Sequence, residues 1–281
     1  MPDWNSVSLN TSSTWTNVQV VAGPNGVLLN QRQDPIRIVE SISPSSVTQI
    51  ATGTFVFAFP QVIAGWVQLR ASGPAKSLIT IHFGERLNTD GSVIYQDLQH
   101  YYANNFQTDR FWLAGTGGVE TFEPKFSYKG FGYVQIEGWP SPTPPTTADV
   151  TARVVHTDLQ PQGGFTSSSD LLNKLQAASV KTMLNNVHSI ITDCPQFEKN
   201  GWSGDAMLSA EMFLTMLDSQ ELYAKYTRDL DESRINNQGP PGEIAPSGGW
   251  GEGALAPPWH SAFIFIPYWS DIVAAPAHVS S

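Results

Sequence analysis

Residues 192 to 207 read TDCPQFEKNGWSGDAM. Within 13 positions this run holds Asp193, Glu198, Asp205, Trp202 and the chain's single cysteine, Cys194. Cleaving a glycosidic bond requires two carboxyl groups. One delivers a proton to the leaving oxygen, and the other activates water or attacks the sugar. The donor must hold its proton near neutral pH, which an apolar or crowded setting provides. Glu198 follows Phe197 and lies four residues before Trp202, and such neighbours disfavour a charged carboxylate. Asp193 and Asp205 are short acids suited to holding sugar hydroxyls, and Trp202 offers a flat apolar face for stacking. The same residues also suit a plain capping loop. There, Asp193 would bond backbone amides, Asp205 would sit in the first turn of the next helix, and Trp202 would pack.

The elements around this stretch change character near residue 160. Before it, short alternating runs are separated by Gly, Pro, Asn and Asp. GTFVFAF sets Phe55, Phe57 and Phe59 on one face, WVQLRA follows a turn at Ala64-Gly65, and SLITIHF alternates Ile79, Ile81 and Phe83 with polar residues. TDGSV has a hairpin-type Asp-Gly centre. DRFWLAG, KFSYKGFGYVQIEG and DVTARVVHT follow. Strands at this spacing, without helical patterns between them, predict an antiparallel β-sandwich over 34–158. The proline-rich run from 139 to 147 cannot lie in a central strand and reads as a surface loop.

After 160 the period becomes helical. A first helix follows Phe165, with Leu171, Leu172, Leu175 and Ala178 as its stripe. A second stretch runs from Ser203, its expected N-cap, to Arg234, with Met207, Ala210, Phe213, Leu214 and Leu217 at helical spacing. A third, WHSAFIFIPYWSDIV, is apolar nearly all round and is expected to be buried. Between the second and third lies a long Gly/Pro loop, a length that in compact domains is usually functional or disordered. Three helices do not close a helical fold, so 159–281 reads as an incomplete helical domain after an N-terminal extension at 1–33.

Composition narrows the function. Among 281 residues, 14% are charged, 11% are aromatic, nine are Trp, and the net charge is -10. An acidic, Trp-rich chain is a poor polyanion binder, which argues against nucleic acid. One cysteine excludes an intrachain disulfide, and the six histidines lack metal-ligand spacing. No metal and no cofactor are expected. No run of 18 apolar residues suggests a membrane span, and MPDWNSVSLN lacks the layout of a secretory leader. The compartment stays open.

Several runs together resemble one family. TDCPQFEKNGWSGDA is similar to the signature of the α-L-rhamnosidases of glycoside hydrolase family 78, which show runs such as DCPQRDERLGWTGDA or DCPHREKLGW. FPQVIAGWVQLR, HFGERLNTDGSV, FSYKGFGYVQIEG and GGFTSSSDLLNKL resemble further family segments, in family order. The resemblance implies a β-sandwich followed by the first helices of an (α/α)6 barrel, here truncated. It also implies inverting release of terminal α-L-rhamnose without a cofactor, from a rhamnose-containing glycoside or polysaccharide. Carried over by residue, Glu198 matches the general acid and Asp193 a carboxylate that holds rhamnose hydroxyls. Trp202 matches a pocket-wall aromatic and Asp205 a further acid of the motif. Trp250 or Trp259 matches a later aromatic of the sugar pocket.

Two departures stand out. Phe197 occupies the position of a family Arg that contacts substrate, and the family's general base lies in the later half of the barrel. Of the later acids only Glu252, between glycines, is retained as a stand-in. The alternative to an enzyme is therefore a truncated, non-catalytic relative keeping only fold or carbohydrate binding. The apolar third helix also makes self-association an expectation.

Overall fold

The computed structural model describes residues 16–23, 26–95, 106–236, 239–247 and 256–274. The chain divides into two compact units, Met1–Gln31 and Arg32–Ser281. In the first, the described residues carry no helix or strand. The second holds every regular element found among the described residues.

Eight strands come first: β1 (Ile36–Ile42), β2 (Ser46–Ala51), β3 (Thr54–Ala71), β4 (Leu78–Gly84), β5 (Thr108–Trp112), β6 (Glu120–Phe122), β7 (Lys129–Glu137) and β8 (Val150–Thr157). All pairings are antiparallel, in the order β1-β8-β3-β7-β4-β5, with β2 and β6 also on β3. The expected sandwich is thus one continuous sheet that curls around its core. Its pivot is β3. Residues 54–58 pair with β2, and residues 65–69 pair with β8 along the same edge. The register with β7 breaks between Ala58 and Ile63. Such irregularities let one strand serve both layers of a sandwich. The turn expected at Ala64-Gly65 does not occur. GTFVFAF and WVQLRA belong to a single 18-residue strand, and the chain runs through Ala64-Gly65 without reversing.

The core follows from the alternation in the sequence. Phe57, Ile63, Leu69, Ile79, Ile81 and Phe131 are fully buried in one cluster. Phe131 meets Phe59 and Phe83 edge-on, at 5.5 and 5.2 Å between ring centres, the geometry aromatic quadrupoles favour. Asp90 holds the expected hairpin turn, its Oδ1 accepting from the Ser92 N–H at 3.0 Å and from the Ser92 hydroxyl at 2.6 Å.

Five helices follow: α1 (Asp170–Asn185), α2 (Ser203–Met216), α3 (Gln220–Asn236), α4 (Pro257–His260) and α5 (Ala262–Ala274). The second expected helix is two, since the chain is extended at Leu217 and α3 begins at Gln220. Tyr223 and Tyr226 of α3 are buried and donate to the carbonyls of Ala206 and Gly201, at 3.2 and 3.1 Å. The end of α1 docks on the pivot of the sheet. Asn185 Oδ1 accepts from the Ala64 N–H at 3.1 Å, its amide donates to the Val62 carbonyl at 3.3 Å, and Lys181 pairs with Gln61.

One expectation about the helices is corrected, the burial of the third, and the apolar stripe of the first lies open. The Leu171, Leu172 and Leu175 stripe is 75%, 47% and 62% exposed, flanking a groove of 490 Å³ between α1 and α2. The third expected helix, α5, is buried on one side only. Ala262 and Ile266 are covered where α5 packs on α2 and α3, whereas Ile264, Phe265, Tyr268 and Ile272 face out. No helix among the described residues is long and apolar enough to cross a membrane.

Candidate functional site

The stretch from Asp193 to Asp205 joins the end of the α1 segment to the start of α2. Asp193 closes the loop on itself. Its N–H donates to the Asn200 carbonyl at 3.1 Å, and its Oδ1 accepts from the Asn200 N–H at 2.9 Å. Cys194 then links two site residues. Its thiol donates to Asp193 Oδ2 at 2.7 Å, and its sulfur accepts from the Glu198 N–H at 3.2 Å. Burial and the Asp193 carboxylate push this thiol up to about 11. It therefore stays protonated, a donor rather than a nucleophile.

Glu198 is held from its carboxyl end as well, by the Trp202 indole N–H donating to Oε2 at 2.6 Å. The spacing of four that suggested an apolar neighbour thus delivers a hydrogen-bond donor. Trp202 meets Trp259 edge-on, with ring centres 6.3 Å apart. Trp259 lies against the start of α2, where a Cβ on Gly204 would come within 2.9 Å of its indole nitrogen. Glycine at 204 is what lets this second aromatic approach. Asp205 sits in the first turn of α2, and burial, with the charges of Asp193 and Glu198 adding to it, raises its carboxyl above the ordinary range. Asp193 and Glu198 thus lie close enough for their charges to act on Asp205.

Glu198, Asp193, Trp202, Asp205 and Trp259 are therefore brought together. Trp250 and Glu252 lie outside the described residues. Ser203 is not the N-cap. Trp202 takes that position, and Ser203 is buried, its hydroxyl donating to the Trp259 carbonyl at 3.1 Å and its N–H to the Glu243 carbonyl at 2.7 Å. The segment Glu243–Ala245 is the neighbour that sequence reasoning missed. Ile244 bridges to Trp202, and Ala245 donates to the Gly201 carbonyl at 2.9 Å. Nothing in the Gly/Pro loop's composition announces that it straps the site from behind.

Comparison with known proteins agrees with this geometry. Residues 160–270 match the bacterial α-L-rhamnosidase six-hairpin glycosidase domain, and residues 48–156 match the bacterial α-L-rhamnosidase concanavalin-like domain. An α-L-rhamnosidase of Formosa agariphila is 32% identical over 96% of this chain and 30% of its own length. One of Streptomyces avermitilis is 32% identical over 83% of this chain and 23% of its own. Among solved structures, the α-L-rhamnosidase from Dictyoglumus thermophilum is 33% identical with a TM-score of 0.84, covering 96% of this chain and 30% of that one. The Streptomyces avermitilis enzyme complexed with L-rhamnose is 31% identical with a TM-score of 0.77, covering 86% and 23%. The chain belongs to the α-L-rhamnosidases of glycoside hydrolase family 78, and it spans about a third or less of the length of these relatives.

Proposed function

We propose that this chain carries the proton-donating half of a site that hydrolyses terminal α-L-rhamnosides with inversion. Glu198 is the general acid. Its Oε2 accepts from the Trp202 indole, which fixes the direction in which the carboxyl presents its proton to the leaving group. Asp193 has one lone pair on each oxygen committed to its own loop, and its outer face holds rhamnose hydroxyls together with Asp205. Trp202 and Trp259 form the apolar wall against which the sugar packs. Phe197 replaces a cationic hydroxyl clamp and makes the pocket drier. With this reading goes a division of the chain into an extension at 1–33, a supporting sandwich at 34–158 and a catalytic helical domain at 159–281.

The observation that carries the proposal is the 2.6 Å contact between the Trp202 indole and Glu198, inside a cluster that also holds Asp193 and Asp205. Proton NMR of the first-formed sugar tests the stereochemistry. Inversion releases β-L-rhamnose before mutarotation, and an α product would sink the inverting mechanism. A second reading is a relative that binds rhamnosides without cleaving them. It is favoured because the described carboxylates of the cluster all come from one 13-residue stretch, whereas inversion needs a water-activating base about 6.5–9.5 Å from the acid. Saturable L-rhamnose binding without turnover would support that second reading.

A further inference from the structure

Lys199 immediately follows the proposed acid. Its backbone is left-handed at φ 54, a conformation that L-residues other than glycine and asparagine adopt only when their surroundings impose it. The surroundings here are the sandwich. Lys199 Nζ donates to the Tyr128 carbonyl at 2.6 Å and lies 4.5 Å from the ring centres of both Tyr128 and Phe106. The Tyr128 ring is itself clamped, stacked on His188 at 3.6 Å and 3°. Two residues further on, in β7, a Cβ on Gly130 would come within 2.7 Å of the Gln196 nitrogen and 2.8 Å of the Pro195 carbonyl carbon. The loop therefore rests at two points on the start of β7 and the residue before it, Pro195–Gln196 on Gly130 and Lys199 on Tyr128. Glu198 lies between them.

We propose that Lys199 is a positioning residue for Glu198, which anchors the acid-bearing loop to the sandwich through Tyr128 and so makes the sandwich part of the site's scaffold. The proposal rests on the reading of Glu198 as the acid. It makes a physical difference which residue does the anchoring, because an ammonium packed between two rings is attracted to their faces and a neutral amine is not. Burial, with Lys129 nearby, pushes the Lys199 amine down to about 7. The other groups that face it are accounted for. Lys129 is tied to Asp109 at 2.6 Å, Cys194 is pushed up to about 11, and His188 down to about 3. Neither Cys194 nor His188 changes charge between pH 6 and 8, and the Tyr128 hydroxyl is raised further from that range by burial. The loop's grip on the sandwich accordingly weakens as pH rises through about 7.

The test reads the Trp202 indole N–H by proton–nitrogen NMR, assigned with Trp202→Phe, because that proton reports directly on where Glu198 sits. In the unsubstituted chain the resonance is expected downfield and to shift with a midpoint near pH 7. Lys199→Met keeps the length of the side chain and removes the charge and donor. It is expected to move the resonance toward its position in Glu198→Ala and to abolish the midpoint. Gly130→Ala pushes the loop from the other contact and is expected to move the same resonance, which keeps the test decisive if Lys199→Met fails to fold. A resonance unmoved in either folded variant, or a midpoint near 7 that survives Lys199→Met, overturns the proposal. Failure of the underlying reading looks different. If Glu198 is not the acid, Glu198→Gln retains rhamnoside turnover while Lys199→Met still displaces the Trp202 signal.

Discussion

The sandwich and the helical region bury their apolar side chains differently. In the sandwich, β3, β4 and β7 supply Phe57, Ile63, Leu69, Ile81 and Phe131 to a cluster closed on all sides. In the helical region, Phe213, Leu214, Tyr223, Tyr226 and Leu230 form a comparable cluster under α2, α3 and α5. Yet Leu208 of α2 is 82% and Ile264 of α5 68% exposed on the outer sides of the same helices, and Leu171 of α1 is 75% exposed. A curled sheet can cover its inner face with its own strands. A helix has a stripe on more than one side when it is built to sit among several others. The candidate site lies where the two regions meet, held by α2 on one side and by β7 on the other. The sandwich thus steadies the loop that carries the candidate site.

The largest effect that would break this comparison comes from Gly65. A Cβ there would lie 1.8 Å from the Arg153 carbonyl oxygen, so Gly65→Ala must separate β3 from β8. Urea denaturation followed by circular dichroism should show a loss of more than about 4 kcal/mol, the range reserved for disrupted cores and forbidden backbone contacts. Next, Phe131→Ala and Phe213→Ala each remove a buried ring, at a cost of about 3–5 kcal/mol. If the sandwich is self-sufficient, thermal unfolding of Phe213→Ala splits into two transitions with only the lower one displaced. A single shared transition in both variants would show that the regions unfold as one.

His188 joins the regions, its Nε2–H donating to the Val155 carbonyl at 2.7 Å, and burial pushes its imidazole down to about 3 from 6.5. The folded protein keeps it neutral, whereas the unfolded chain protonates it below 6.5. Its contribution is therefore complete above pH 6.5 and is lost as pH falls toward 3, at about 1.4 kcal/mol per pH unit. His188→Gln should flatten the acid limb of the stability profile, and an unchanged limb would place the acid sensitivity elsewhere. The smallest effect belongs to the open helical sides. Leu208→Ser should change stability by no more than about 0.5 kcal/mol while lowering self-association in sedimentation velocity. A stability loss like that of a core residue would mean that this side is covered after all.

Much of the architecture was legible because its signal is local. Period-two alternation in GTFVFAF and SLITIHF located strands of the core, and the Asp-Gly turn formed as its chemistry requires. β1, β2 and β6 carried no such signal, since their side chains are mostly exposed and nothing forces alternation on them. The turn misread at Ala64-Gly65 has a related cause. Glycine there serves close approach to β8 rather than reversal. For the helices, spacing located α1, α2 and α5, but periodicity cannot distinguish a stripe that is covered from one that is open. In the site, residue type and spacing singled out Glu198, Asp193, Trp202 and Asp205, and Trp259 entered through the family resemblance. It could not reveal that Cys194 bridges Asp193 and Glu198, that Lys199 reaches Tyr128, or that Glu243–Ala245 lies behind Trp202. Those contacts join residues up to 71 positions apart and depend on how the two regions dock.

The central claim is that Glu198 donates the proton, and leaving-group dependence tests it most directly. General acid assistance is worth about 10²–10⁴ in rate, and it matters most when the departing oxygen is a poor leaving group. Hydrolysis of an alkyl α-L-rhamnoside and of p-nitrophenyl α-L-rhamnoside should therefore be measured for the unsubstituted chain and for Glu198→Gln. The account predicts that the substitution suppresses alkyl rhamnoside cleavage by about 10² or more and p-nitrophenyl rhamnoside cleavage much less. Equal losses on both substrates, an unaffected Glu198→Gln chain, or no turnover by the unsubstituted chain would contradict it.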